Sequence, residues 1–68
     1  MNAKEVEKLQ AFLQRTFGNR TIRVAPAKGK GPSEVYVGDE FIATLDRDEE
    51  DGEVSYTLTM AILSEDLA

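Results

Sequence analysis

Between Glu53 and Leu63 apolar and small polar residues alternate without a break. Val54, Tyr56, Leu58, Met60 and Ile62 fall on one parity, and Ser55, Thr57, Thr59 and Ala61 on the other. Strict period two is the pattern of a strand with one face on a core and the other toward water. A chain built around such a strand needs partner strands beside it and a layer over its apolar face.

The layer is the N-terminal segment, which reads as a helix over about 2–17. Asn2 is an N-cap, and Glu5, three residues on, closes a capping box onto its backbone. Val6, Leu9, Leu13 and Phe17 recur at spacings of three and four, with Phe12 widening the stripe, so this face is expected to pack on the sheet. Gly18 then supplies the left-handed residue that ends a helix, followed by Asn19.

The partner strands are expected at about 21–26, 33–37 and 41–47, with the alternating run completing a fourth at 53–63. Ile22 and Val24 point inward from the first, which Pro26 stops or places at an edge. The segment Lys28-Gly29-Lys30-Gly31-Pro32 reads as a mobile loop, because it lacks the spacing and the strand-to-helix setting of a phosphate-binding loop. Register in the next hairpin decides which side chains are buried. A two-residue turn at Gly38-Asp39 sets Val37 against Glu40 and turns a carboxylate inward; a three-residue loop sets Val37 against Phe41 and Val35 against Ala43. The second gathers Val35, Val37, Phe41, Ala43 and Leu45 inside and leaves Tyr36 and Ile42 as an outward pair. The resulting expectation is an α+β fold, one N-terminal helix packed on a four-stranded, mostly antiparallel meander (α-β-β-β-β), forming one domain over 1–68. A chain of 68 residues buries only about 60% of the surface its unfolded form exposes, so the core is small.

Composition removes several chemistries. With no cysteine and no histidine, disulfides, thiolate metal sites and the usual nucleophile and general base are missing. Ser33, Ser55 and Ser64 have no base at a useful spacing, and the paired carboxylates sit in loops where solvent keeps them ordinary, so the chain reads as non-enzymatic and without a cofactor. No apolar run approaches the roughly 20 residues of a membrane span, and Met1 to Gln10 is unlike a signal peptide, which makes the cytoplasm the expected location.

Three binding readings remain. Tyr36 and Ile42, with Arg23, Thr44 and Thr57 around them, form a candidate interface on the sheet face that the single helix leaves open. Six carboxylates lie within Asp46 to Glu53, and Asp46, Asp48, Glu50 and Asp51 are the weak alternative for a divalent ion. Their spacing fails the calcium-loop frame: the sixth position is Asp51 in place of glycine and the twelfth is Thr57 in place of glutamate. Arg20, Arg23, Lys28 and Lys30 are the weak alternative for nucleic acid, opposed by the negative total and by the lack of interleaved aromatics. Charge is divided along the chain: residues 1–32 carry a net +5 and residues 33–68 a net −10. Such a division is satisfied within the molecule, between copies, or by a partner.

Four stretches carry a resemblance. Lys4-Glu5-Val6-Glu7-Lys8-Leu9-Gln10, Arg15-Thr16-Phe17-Gly18-Asn19, Glu34 through Ile42, and Asp51 through Tyr56 followed by Met60-Ala61-Ile62-Leu63 are similar to a small uncharacterised alphaproteobacterial family, a domain of unknown function (DUF family 3126). The resemblance covers nearly the whole chain and implies a stand-alone bacterial protein. The family brings no known activity, so it assigns no site residues. The expected function is a protein-interaction or regulatory module, self-associating through the uncovered face around Tyr36 and Ile42 or through an exposed edge strand. The alternatives are an ion or small-ligand binder using the acidic 46–53 loop, and weak nucleic-acid contact through the 20–30 edge.

Overall fold

The computed structural model describes residues 1–27, 29 and 31–67. Along the chain come α1 (Ala3–Phe17), β1 (Ile22–Ala25), β2 (Ser33–Val37), β3 (Glu40–Glu50), β4 (Glu53–Thr59) and a 3-10 turn (Ser64–Leu67). The strands pair antiparallel in the order β1-β2-β3-β4, so the helix-plus-meander architecture expected from the sequence is the one found.

Both ends of α1 are fixed locally, the first by side chains and the second by a glycine's backbone. The Asn2 side chain accepts from the Glu5 N–H at 2.8 Å, and Glu5 accepts in return from the Asn2 N–H at 3.1 Å. Gly18, at φ 61°, turns the chain left-handed and donates its N–H to the Gln14 carbonyl. Val6 and Leu13 then meet Ile22, Val24, Val35, Ala43 and Leu45 in one buried cluster. The helix lies along β1, at one side of the sheet.

That placement closes one sheet edge. In β1 the polar groups turned away from β2 belong to Ile22 and Val24. Gln10 accepts from the Val24 N–H at 3.0 Å, and the Gln14 amide donates to the Ile22 carbonyl at 2.9 Å and the Arg20 carbonyl at 3.3 Å. Two helix glutamines thus stand where the next strand would bond.

The β2–β3 hairpin departs from the expected register. Val35 opposes Ala43 as expected, but Tyr36 opposes Phe41 and Val37 opposes Glu40, with the shift between Val35 and Tyr36. The turn is the two-residue one at Gly38-Asp39, and a β-bulge at Ile42 absorbs the extra residue. Phe41 therefore faces out, 52% exposed, while Ile42 packs against the core. The expected outward pair of Tyr36 and Ile42 is corrected to Tyr36 and Phe41, whose rings meet edge to face at 5.8 Å. Glu40 sits exposed at the strand end, where its charge stays in water.

Strand lengths differ as well. β1 spans Ile22–Ala25 rather than 21–26, β3 runs on to Glu50 rather than stopping at 47, and β4 ends at Thr59 rather than 63. Beyond Leu45, which opposes Ser33, β2 has ended. Asp46 to Thr57 continue as a two-stranded ribbon, closed at Asp51-Gly52 with φ 52° and 83°, the positive pair a tight hairpin needs. The ribbon helps draw the molecule out to 43 × 23 × 21 Å. Among the described residues no helix is long and apolar enough to cross a membrane.

Ser33 is fully buried, and its hydroxyl finds no hydrogen-bond partner among the described residues. An unpaired hydroxyl in a core is a cost that alanine avoids at nearly the same shape. Ser33→Ala is expected to raise the unfolding free energy by about 1 kcal/mol in urea titration. A loss of similar size would contradict it.

Candidate functional site

One helix cannot cover four strands. A helix is about 10 Å across and strands lie about 4.8 Å apart, so α1 on the β1 side shares a buried core with Ala43 and Leu45 of β3 but leaves the β4 side of the same sheet face bare. The bare side is apolar. Between α1 and β4 runs an open groove of about 620 Å³, walled by Leu9, Phe12 and Phe17 from the helix and floored by Leu45, Tyr56 and Leu58. A hollow of about 220 Å³ continues it past Phe17 and Leu58 to Ile42 and Met60. Phe12 and Phe17 remain 50% and 61% exposed, and Leu58 and Met60 36% and 48%. The Arg15 guanidinium lies 5.9 Å over the Phe12 ring, placing a cation on the rim.

A polar latch closes one end of the groove. The Tyr56 hydroxyl and the Arg47 Nε both donate to Oε2 of Glu5, the latter at 2.9 Å. Arg47 also donates to Glu49 at 3.1 Å. Glu5 therefore caps its own helix with one oxygen and ties the ribbon to it with the other. The Tyr56 hydroxyl first, then the Asn2 N–H, then Arg47 hold its carboxyl down at about 2, well below its ordinary 4.5. The same bonds push the Tyr56 phenol and the Arg47 guanidinium up. Because the folded-state value is the depressed one, this contribution to stability is complete above about pH 4.5 and is lost as pH falls toward 2. Glu5→Gln is expected to flatten the fall in melting temperature across that window, and an unchanged slope would count against the latch.

The residues proposed from sequence are distributed otherwise. Arg23, Tyr36, Thr44 and Thr57 do share the far face of the sheet, by the pairings Arg23–Tyr36, Tyr36–Phe41, Thr44–Thr59 and Asp46–Thr57. There the Arg23 guanidinium stacks 4.8 Å from the Tyr36 ring, and the Tyr36 hydroxyl donates to Glu34 at 3.1 Å, which raises its pKa. These contacts satisfy one another across neighbouring strands. Ile42 belongs to the other side.

Asp46, Asp48 and Glu50 are strung along β3, and Asp51 lies in the turn. Among the described residues no group of three such side chains comes together to hold a metal ion. Of the basic edge, Arg20 and Arg23 are exposed, and Lys28 and Lys30 lie outside the described residues. The ion pairs among the described residues are Arg47–Glu5 and Arg47–Glu49, so neither joins a cation of residues 1–32 to an acid of 33–68.

The groove itself escaped the sequence reading, which placed Phe12, Phe17, Leu58 and Met60 in a closed core. A signal was present. Five inward residues on the last strand and five apolar helix positions exceed what one short helix can bury against one sheet.

No curated protein and no solved structure matches the chain. The family model that does match is described as a protein of unknown function (DUF3126), and it spans residues 5–66, from the latch carboxylate through β4 to the final 3-10 turn. With that extent matched, and with the fold that its resembling stretches build, the chain belongs to the DUF3126 family.

Proposed function

We propose that the chain is a non-catalytic protein-interaction module that receives an amphipathic helix of another protein in the groove beside α1. The observation that carries this is the half-covered sheet face. The groove beside its bare part has a wall from Glu5 to Phe17 that is roughly 18 Å long at 1.5 Å per residue, three turns of a guest helix. A guest would bury Phe12, Leu58 and Met60 together, and Lys8 and Arg15 on the α1 side favour one with acidic residues along that flank. Recognition of this kind needs no cofactor. The reading moves the working surface from the Tyr36 face to the α1 face and keeps the bacterial setting that the family resemblance implies, with the cytoplasm as the proposed location.

A photo-crosslinking residue at Phe12, in the groove, is expected to yield adducts in the producing cell. One at Ala11, exposed on the other side of α1, is not. The linked peptide should show apolar residues at spacings of three and four. Equal yields from both positions, or none from Phe12, would overturn the reading.

A further inference from the structure

The two edges of the sheet are treated differently, and the difference points to a partner. On β1, Gln10 and Gln14 occupy two of the outward backbone groups, the Val24 N–H and the Ile22 carbonyl. On β4, the other edge, no strand follows among the described residues. Exposed edges are ordinarily guarded by lysine, proline or inward charges. β4 has none of these past Glu53: from Val54 to Ser64 the chain carries eleven consecutive residues without charge or proline, in a protein that is 31% charged. Val54 and Leu58 lie 42% and 36% exposed along it.

Backbone alternation says which groups are free. In an antiparallel ladder, opposed residues exchange both bonds at every second pair. Starting from the two-residue turn, Glu50–Glu53, Asp48–Ser55, Asp46–Thr57 and Thr44–Thr59 are the bonded pairs. The N–H and C=O of Val54, Tyr56 and Leu58 are then the ones aimed at the open edge.

From these observations we infer that a second copy of this chain pairs with β4, antiparallel about a two-fold axis, to form one continuous eight-stranded sheet. A strand running antiparallel to its own copy matches itself: each outward N–H of one meets an outward C=O of the other. Charge selects the same orientation. The ribbon tips carry Asp48, Glu49, Glu50, Asp51 and Glu53. A parallel arrangement sets the two tips side by side, whereas the two-fold sends them to opposite ends, each beside the uncharged Met60 to Leu63 of the other copy. Val54 and Leu58 gain apolar neighbours across the new seam, and the two grooves open on the same face. This pairing uses the strand edge and not the groove, so it stands or falls separately from the helix-binding reading.

The test is sedimentation equilibrium of the full chain from micromolar to millimolar, with amide exchange by NMR at both ends of the range. The expected result is a monomer–dimer equilibrium in which the amides of Val54, Tyr56 and Leu58 slow with concentration while those of Ser55 and Thr57 do not. Thr57→Lys, exposed at the middle of β4, should weaken the dimer about tenfold or more by placing on the open edge the kind of residue that guards an edge against pairing, with the circular dichroism unchanged. A monomer at every concentration overturns the inference. So does a dimer without the alternating protection, which would place the contact elsewhere. If Thr57→Lys disturbs the fold, the exchange pattern of the unsubstituted chain decides alone.

Discussion

Leu45→Ala is expected to bring the chain to the edge of unfolding at room temperature. Leu45 is 3% exposed on β3, opposite Ser33 on one side and Leu58 on the other, inside the cluster that joins Val6 and Leu13 to the sheet. Removing a buried leucine costs about 2–5 kcal/mol, more where the cavity cannot collapse. A domain this small rarely holds more than about 3–5 kcal/mol in all, and no disulfide supplements it. Urea titration by circular dichroism should show the midpoint falling by half or more. A drop worth less than about 1 kcal/mol would mean that Leu45 repacks into the groove and that the core is looser than its burial indicates.

The second large effect tests the bulge. Ile42→Lys drives a charge into the hydrophobic cluster and is expected to cost about 2–4 kcal/mol, whereas Phe41→Lys, one residue earlier, is expected to cost less than about 1 kcal/mol. The unbulged register, with Phe41 inside and Ile42 outside, requires the opposite order. Because only the two residues' facing differs, the sign of the difference between the melting temperatures decides between the registers.

What could be read from sequence was local. The Asn2–Glu5 capping box, the Gly18 terminator and the Asp51-Gly52 turn each rest on residues within four positions of one another, and all three are present. The Gly38 hairpin was harder because each alternative held half the answer. A two-residue turn does set Val37 against Glu40, the pairing that looked too costly, but Glu40 reaches water at the strand end and the bulge brings Ala43 and Leu45 back inside. No residue between Tyr36 and Ala43 advertises that bulge; it is chosen by how the whole face packs.

The site was less legible than the fold, for a related reason. Alternation on β4 marks residues that can be covered and is silent on whether the molecule has anything to cover them with. Glu5 already had a helix cap to explain it, so nothing in the sequence called for Arg47 and Tyr56, 42 and 51 residues away. Gln10 and Gln14 likewise read as ordinary polar helix positions, and only the placement of α1 over β1 turns them into backbone partners.

Those glutamines have a consequence for the reach of any assembly. A sheet that offers two equivalent edges can add chains at both ends and grow as a fibril, whereas one with a single reactive edge stops when that edge is used. With Gln10 and Gln14 on β1 and β4 open, the chain would be monofunctional in the sense of a polymer chemist, and the pairing proposed through β4 would terminate at two. Replacing both glutamines would make it bifunctional. On that proposal the two amide side chains, besides holding a helix to a strand, would set the difference between a finite particle and a filament.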